Sequence, residues 1–473
     1  MSIRKNMKSK LMQQKVVIVG GGMAGLAAAY RLKNSVPEID ITIIEASSQL
    51  GGKVSTERAD GFVIESGADC FLARKPRGVG LCEELGIADQ LVGRDPNHAK
   101  TFVLRHGRLH PLPSGLTGMI PTNLDALTNS TLLSETAVSQ IAAEPNLPPQ
   151  PENGDESVAS FVSRRLGQEA FDNLIEPLMG GIYAGQADQL SLAATFPQLR
   201  QLELNHGSLL KGLTNRAPAA SEPEYPPFVS FPDGMQTLVD ALVAQMDGVE
   251  ILLNTAVSRI EKMVNGKWLI VNGKLALEAD AIILTTPAYV SSKILGKVDP
   301  QLAHKLSEIP YASSALVNFV FAEANVPELD GYGYVIPCVE KREALACTWT
   351  SRKWQNRTPD GKMLLRVYIG RYGQADVSEY EDGRLLTIAQ NELREVLDIN
   401  SEPEFHRIIR YPQAMPQYNM GHLDRIADIE AKLADHSGLF MAGAMFRGVG
   451  IPDCILSGET AVENVVNYLK SKQ

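Results

Sequence analysis

The chain has 473 residues, of which 44% are apolar and 21% are charged, and its formal net charge at pH 7 is −10. This composition is typical of a globular protein with two or three domains, and the acidic balance argues against a nucleic-acid-binding protein. The five cysteines are odd in number and show no C-x-x-C spacing, which favours unpaired thiols in a reducing cytosol over disulfides or a metal site.

The first 15 residues are basic and contain no acid. They resemble the start of a signal peptide, but the apolar stretch that follows, Val16–Val19, is too short for one. We therefore predict a disordered leader on a cytoplasmic protein. The sequence contains no apolar run of about 18 residues and predicts no membrane-spanning helix. Peripheral contact with a membrane stays open.

A glycine-rich turn joins this apolar strand to a helix. Its residues, spaced as G-x-G-x-x-G, are Gly20, Gly22, Met23, Ala24 and Gly25. The first glycine allows a tight turn, the second a close approach of a pyrophosphate, and the third close packing of helix on strand. The helix N-terminus would face the phosphates, and Glu45, which ends the next strand, is placed to bind ribose hydroxyls. The alternative is a plain strand–helix turn.

A second glycine turn follows the acid. Ala46 adjoins Glu45, and the chain then reaches Gly51, Gly52 and Lys53. A glycine pair followed by a base resembles the second fingerprint of amine-oxidase-type flavoproteins, in which the turn meets the diphosphate and the base adds a charge-assisted contact. Alone, the pair is equally consistent with a hairpin. Next to the first fingerprint it favours FAD over NAD.

The middle of the chain changes character near residue 228. Residues 75–225 have helical spacing and many loops, with a mobile surface connection predicted at 144–155. Beyond 228 the pattern predicts short strands joined by hairpins. The strands predicted with the clearest patterns are Trp268–Val271, Ala281–Leu284, Ala315–Phe321 and Leu364–Ile369.

The C-terminal part repeats the strand, glycine turn and helix arrangement. A strand over 439–443 leads into a glycine-rich turn, and a helix begins near residues 451–452. The predicted cofactor contacts here are Gly443, Ala444, Gly450, Ile451 and Pro452. Helix-terminal amides would lie near the pyrimidine end of a flavin and stabilise negative charge on its reduced ring. A final strand–helix packing unit is the alternative.

Several longer motifs are more specific than these turns. They are 61–71, 176–185, 190–191 with 195–197, 348–354, 416–418 with 421–422, and 450–454. On these residues the chain resembles, over nearly its whole length, the oxygen-dependent protoporphyrinogen/coproporphyrinogen oxidase family, FAD enzymes of haem biosynthesis, and most closely its Gram-positive branch. Two positions depart from the family pattern, since Ala68 stands where proline is common and Cys70 where serine is common.

The resemblance implies an α/β fold with three parts. An FAD-binding Rossmann-like domain of the amine-oxidase type would be assembled from residues 1–74, 226–300 and 425–473. Residues 75–225 would form a helical domain that can face a membrane. Residues 301–424, with parts of the preceding segments, would form a substrate-binding domain around a mixed β-sheet.

The resemblance also implies the reaction. FAD would oxidise coproporphyrinogen III to coproporphyrin III, with oxygen as acceptor and hydrogen peroxide as product. Because aromatisation makes the reaction favourable, no dedicated catalytic residue is needed and the flavin carries the chemistry. Protoporphyrinogen IX is the alternative substrate. An amine oxidase, a carotenoid desaturase and a catalytically silent flavoprotein are more distant alternatives. Neighbouring enzymes of the haem pathway are candidate partners.

Further site residues come from the family motifs. Additional cofactor contacts are expected at Gly67, Ala68, Asp69 and Val257. The substrate's propionates require bases at the pocket mouth, and Lys75, then Arg74, are the first candidates, with a solvated surface pair as the alternative. Ile182 and Tyr183 are expected to line the substrate cavity, although a buried tyrosine with one hydrogen-bond partner fits Tyr183 equally well.

Overall fold

The structure is a computed structural model that describes residues 14–151, 154–214 and 224–472. Residues 1–13 of the predicted 15-residue leader lie outside them, whereas Lys15, its last residue, begins β1. The strands are β1 Lys15–Val19, β2 Asp40–Ile44, β3 Thr56–Ala59, β4 Phe62–Glu65, β5 Phe71–Leu72, β6 Val92–Gly93, β7 Phe102–Arg105, β8 Arg108–Pro111, β9 Leu116–Thr117, β10 Ile120–Pro121, β11 Phe228–Ser230, β12 Glu250–Leu252, β13 Arg259–Lys262, β14 Trp268–Asn272, β15 Leu275–Ala279, β16 Ala281–Leu284, β17 Tyr311–Ala322, β18 Gly333–Val335, β19 Ala344–Trp349, β20 Lys362–Ile369, β21 Phe405–Pro416 and β22 Leu439–Met441.

Helices connect and cover these strands. They are α1 Met23–Ser35, α2 Pro76–Glu84, α3 Leu124–Thr128, α4 Glu135–Ala143, α5 Val158–Leu166, α6 Gln168–Ala170, α7 Glu176–Tyr183, α8 Leu192–Thr195, α9 Pro197–His206, α10 Leu209–Thr214, α11 Gln236–Ala244, α12 Ala288–Leu295, α13 Pro300–Ser307, α14 Thr350–Lys353, α15 Asp382–Leu397, α16 His422–Ala434 and α17 Ile451–Ser471. In the part of the chain that the structure describes, none of them is long and apolar enough to cross a membrane.

A five-stranded parallel sheet forms the first core. Its strand order is β12-β2-β1-β16-β22, so its strands come from three separated parts of the chain. The strands are mainly apolar because helices or a second sheet cover both faces. On one face α1 packs directly on α17, and a Cβ at Gly458 would lie 2.2 Å from the carbonyl oxygen of Ala24. The first and last helices of the described residues therefore pack together on this sheet.

A seven-stranded mixed sheet forms the second core. Its order is β21-β17-β20-β19-β18-β7-β8, and only β18 and β7 pair in parallel. The amphipathic helix α15 packs its apolar side against this sheet. Strands β7 and β8 come from the segment that the sequence predicts to be helical, and they form one edge of the sheet.

The helices α3 to α10 share a third apolar core. The predicted surface connection at 144–155 is wrong at its start, because Glu144 is fully buried. Its carboxylate forms an ion pair with Arg165 and accepts hydrogen bonds from the Ser208 hydroxyl and the amides of Leu209 and Leu210. A buried charge is stable there because it caps the start of α10 and is paired.

The domain boundaries given above stay predictions.

Candidate active site

A cavity of about 660 Å³ lies where the two large sheets meet. It is lined at the carboxyl ends of β1, β2 and β16 and by the loop after β22. Because these strands are parallel, the residues that follow them meet at one sheet edge, which is where open α/β sheets bind ligands. The opposite wall comes from β17, β20 and β21 of the seven-stranded sheet. The cavity therefore reaches from one core to the other.

The three glycines of the first turn have different surroundings. Gly20 has a φ of 112°, which only glycine adopts readily. A Cβ at Gly25 would lie 2.0 Å from the carbonyl oxygen of Gly20, so helix and strand could not approach so closely. A Cβ at Gly22 would meet no protein atom within 4 Å. Gly22 also begins α1 without a side-chain cap, so the first amides of this helix face the cavity unpaired.

Glu45 is held rigidly at the end of β2. One carboxylate oxygen accepts a hydrogen bond of 2.7 Å from the amide of Gly21, and the other accepts from the amide and hydroxyl of Ser47 at 2.8 Å. The second glycine turn lies beside it, since the amide of Gly51 donates to the carbonyl of Gly21 at 2.8 Å. The two fingerprints that are separate in sequence thus form one continuous surface.

Lys53 supplies a positive charge next to this surface. Its ammonium donates to the carbonyl oxygen of Ala414, and burial lowers the pKa of this lysine. No carboxylate of the described residues pairs with it within salt-bridge distance. A cation that lines a cavity and has a neutral partner is suited to receive an anionic group.

The segment after β4 forms the cavity floor. A Cβ at Gly67 would lie 1.8 Å from the carbonyl oxygen of Lys53, so no larger residue fits. The carboxylate of Asp69 accepts from the Lys353 ammonium at 2.6 Å and from the Trp354 ring at 3.0 Å. Burial alone would raise the pKa of Asp69, but Lys353 and Arg366 outweigh it and hold that pKa well below its ordinary value. The floor is therefore fixed by a buried ion pair.

The loop from Gly443 to Gly450 closes the cavity beside α17. The hydroxyl of Tyr418 donates to the carbonyl of Ala444 at 2.5 Å and accepts from the amide of Gly448 at 2.7 Å. His422 stacks on the Tyr418 ring at 4.1 Å and bonds the carbonyl of Phe446 at 2.9 Å. Burial lowers the pKa of His422 to about 4, so the ring is neutral at pH 7 and donates from Nε2. These two residues fix the loop.

The predicted substrate residues lie in different places. Ile182 is half-exposed and lines the cavity, whereas Tyr183 is buried behind it against the rings of Phe196 and Tyr418. Arg74 lies at the surface. Lys75 forms an ion pair with Asp453, with its ammonium 2.7 and 2.5 Å from the two carboxylate oxygens.

Most predicted site residues face the cavity. Those that line it are Gly20, Gly22, Met23, Ala24, Glu45, Ala46, Gly51, Gly52, Lys53, Gly67, Ala68, Asp69, Ile182, Val257, Gly443, Ala444 and Ile451. Those that lie beside or behind the lining are Gly25, Arg74, Lys75, Tyr183, Gly450 and Pro452.

Sequence reasoning missed two groups of lining residues. One follows β16 and comprises Thr285, Thr286, Pro287 and Val290. The rule that ligands bind at the carboxyl ends of parallel strands would have found them. The other comprises Arg366, Tyr368, Tyr411 and Met415 on β20 and β21. Here the signal was a charged residue, Arg366, inside an otherwise apolar strand.

The fold and the cavity can be compared with known proteins. The family described as flavin containing amine oxidoreductase matches residues 23–466. The coproporphyrinogen III oxidase of Bacillus subtilis (strain 168) is 36% identical, over 96% of this chain and 98% of its own, and that of Staphylococcus aureus is 35% identical, over 97% and 100%. The chloroplastic protoporphyrinogen oxidase of Nicotiana tabacum is 30% identical, over 96% and 85%.

Solved structures give the same picture. A protein from Exiguobacterium sp. 255-15, provisionally described as a protoporphyrinogen oxidase, is 33% identical with a TM-score of 0.86 and covers 97% of this chain and 99% of its own. A putrescine oxidase variant superposes with a TM-score of 0.69 over 96% of this chain and 99% of its own at 17% identity, a level at which only the fold is shared. The predicted α/β fold is thus confirmed.

Proposed function

This chain belongs to the family of flavin-containing amine oxidoreductases, and we propose that it is an FAD-dependent oxidase that converts coproporphyrinogen III into coproporphyrin III. The observation that carries the proposal is the identity of 35–36%, over nearly the full length of both chains, with two relatives named coproporphyrinogen III oxidase. Molecular oxygen is the proposed electron acceptor, and hydrogen peroxide the second product.

The residues present in the cavity fit FAD, including the parts by which FAD is larger than a flavin mononucleotide. The open space at Gly22 and the uncapped start of α1 suit a diphosphate. Glu45 is oriented for ribose hydroxyls, and Lys53 adds a positive charge. Bound FAD would accept two electrons from the substrate in each cycle and pass them to oxygen.

The protein's own part in this reaction is to bind and orient the macrocycle and to exclude water. A porphyrinogen is apolar except for its pyrrole nitrogens and its propionates, and the cavity offers apolar side chains. Ile182, Leu345, Met445 and Val449 are among them. Ile182 belongs to the 176–185 motif that distinguishes porphyrinogen oxidases from amine oxidases, which favours a porphyrinogen.

The propionates need cations, because a net charge of −10 repels an anionic substrate. We propose that Lys75, at the start of α2, binds one substrate carboxylate, and that Arg74 at the surface assists. Coproporphyrinogen III carries more carboxylates than protoporphyrinogen IX, so local cations should matter more for it.

The test is aerobic turnover of freshly reduced coproporphyrinogen III by the purified yellow protein. Porphyrin fluorescence is followed against a heat-inactivated control that corrects for autoxidation, and FAD is identified by its absorption and by mass after release. We expect coproporphyrin III to form faster than the control and one hydrogen peroxide to appear per two-electron step. Absence of porphyrin above the control, with FAD bound, would reject the proposal.

Protoporphyrinogen IX is the second candidate substrate. It is favoured by the plant relatives named protoporphyrinogen oxidase at 29–30% identity and by the Exiguobacterium structure. The same assay with protoporphyrinogen IX in parallel distinguishes the two, because a higher kcat/KM identifies the substrate. A cytoplasmic location, peripheral membrane contact and contact with neighbouring haem-pathway enzymes stay predictions.

A further inference from the structure

The Lys75–Asp453 pair lies at the edge of the cavity. Asp453 is in the first turn of α17, and its neighbours Ile451 and Cys454 line the cavity. Burial raises the pKa of the Cys454 thiol to about 11, and the Lys75 ammonium is close enough to act in the opposite direction. The pair thus lies between the surface, where Lys75 precedes α2, and the residues of α17 that line the cavity.

The two partners of this pair are not equally dependent on it. The side chain of Lys75 is 41% exposed, whereas that of Asp453 is 16% exposed. Besides Lys75, the carboxylate of Asp453 accepts the amide of Gly450 at 3.1 Å and lies at the positive end of the 21-residue helix α17. Asp453 therefore keeps favourable partners when Lys75 leaves, and Lys75 can reach solvent.

From this asymmetry we propose that Asp453 is a positioning residue that holds Lys75 in an ion pair until a carboxylate of the substrate displaces it. The inference rests on the proposed contact between Lys75 and a substrate propionate. A ligand without a carboxylate gains nothing by breaking the pair, whereas a ligand carboxylate replaces one charge-assisted contact with another. Asp453 then lowers the affinity of the site for ligands that bind through Lys75 and leaves the affinity for ligands without a carboxylate unchanged.

The experiment measures binding of coproporphyrin III, a stable ligand with the same carboxylates, to the FAD-loaded enzyme. Quenching of its fluorescence gives Kd without turnover. Asp453→Asn removes the competing charge but keeps an acceptor for Gly450, and we expect Kd to fall about twofold to fivefold, the range for a partly exposed ion pair. Lys75→Met should raise Kd. In the Lys75→Met background, Asp453→Asn should change Kd by less than about twofold.

Asp330→Asn is the matched control. It also removes one negative charge from an ion pair with a lysine, Lys100, and neither residue lines the cavity. It should leave Kd within about twofold of the wild type. A gain of equal size in this control would show a general charge effect and overturn the inference.

Other outcomes also decide the question. An unchanged or weaker Kd in Asp453→Asn overturns the inference, as does a gain that persists in full without Lys75, because the acid would then act by repulsion alone. Absence of coproporphyrin binding in all variants overturns it too. Failure of the proposed function appears separately, as a wild type that binds coproporphyrin III but forms no porphyrin from the porphyrinogen.

Discussion

Individual glycines in this cavity are required for different reasons. At Gly25 and Gly67 a methyl group would collide with backbone oxygens at 2.0 and 1.8 Å, so the folded chain itself excludes a side chain. At Gly22 nothing is within 4 Å of a built Cβ, and φ is −76° with extended ψ, which alanine adopts without strain. Of these three glycines, Gly22 is therefore the one at which a substitution tests what the ligand requires without disturbing the fold.

Gly22→Ala should keep the fold and lose the cofactor. We expect the free energy of unfolding of the flavin-free protein to change by less than about 0.5 kcal/mol, and Kd for FAD to rise more than about tenfold, because the methyl group occupies the space that a diphosphate needs. Thermal unfolding and flavin fluorescence titration measure the two quantities. Gly383→Ala, which also adds a methyl group in open space, should bind FAD normally. Normal FAD binding by Gly22→Ala would show that the diphosphate lies elsewhere.

At the scale of elements, the cavity loop from Gly443 to Gly450 depends on a hydroxyl from another segment. The Tyr418 hydroxyl bridges the carbonyl of Ala444 and the amide of Gly448, and the stacked His422 ring adds the bond to Phe446. Residues 416–418 and 421–422 are among the motifs that carry the family resemblance. Their role in this structure is to position a loop whose residues Ala444, Met445 and Val449 line the cavity.

Tyr418→Phe should loosen this loop while the ring packing stays. We expect FAD affinity to fall about tenfold, because two hydrogen bonds in a buried site are lost and the amide of Gly448 is left unpaired. Near-ultraviolet circular dichroism of bound flavin and FAD titration report the change. Tyr334→Phe is the control, since the Tyr334 hydroxyl is also buried and bonded, to Glu392 at 3.0 Å, but lies away from the cavity. Equal loss of FAD affinity in both variants would mean a general effect on stability.

Elements formed by local signals could be predicted from the sequence, and elements formed by distant pairing could not. The strand, glycine turn and helix of β1 and α1 follow from apolar runs and glycine spacing, as do β16 and β20. Strand β21 is an edge strand with a mixed polar sequence, so its pairing with β17 leaves no periodic signal. The part of the far cavity wall that β21 forms, with Tyr411, could therefore not be predicted from the sequence.

At the scale of the whole molecule, a buried ion pair connects the loop before β20 to the β3–β4 hairpin beside the cavity. Arg357, between α14 and β20, donates to the carboxylate of Glu65 on β4 at 2.8 Å, and also to the hydroxyl of Ser230 and the carbonyl of Phe231. The Ser230 hydroxyl in turn donates to the carbonyl of Asp69 at 2.6 Å. Arg357 and Glu65 are both nearly inaccessible, so this connection extends from the seven-stranded sheet to the cavity floor.

Arg357→Met should destabilise the whole protein, because it leaves the Glu65 carboxylate buried without its positive partner. Removal of one member of such a pair costs about 3–5 kcal/mol, which urea unfolding of the FAD-loaded protein measures. Glu65→Gln in the same chain should recover part of the loss, since the uncompensated charge is then gone while the side-chain amide oxygen can still accept the amide of Met235. Arg352→Met, which breaks a more exposed pair with Glu323, should cost less than about 1 kcal/mol. If Arg357→Met were equally mild, the β3–β4 hairpin would be held beside the seven-stranded sheet mainly by apolar packing, and the cavity floor would not depend on this arginine.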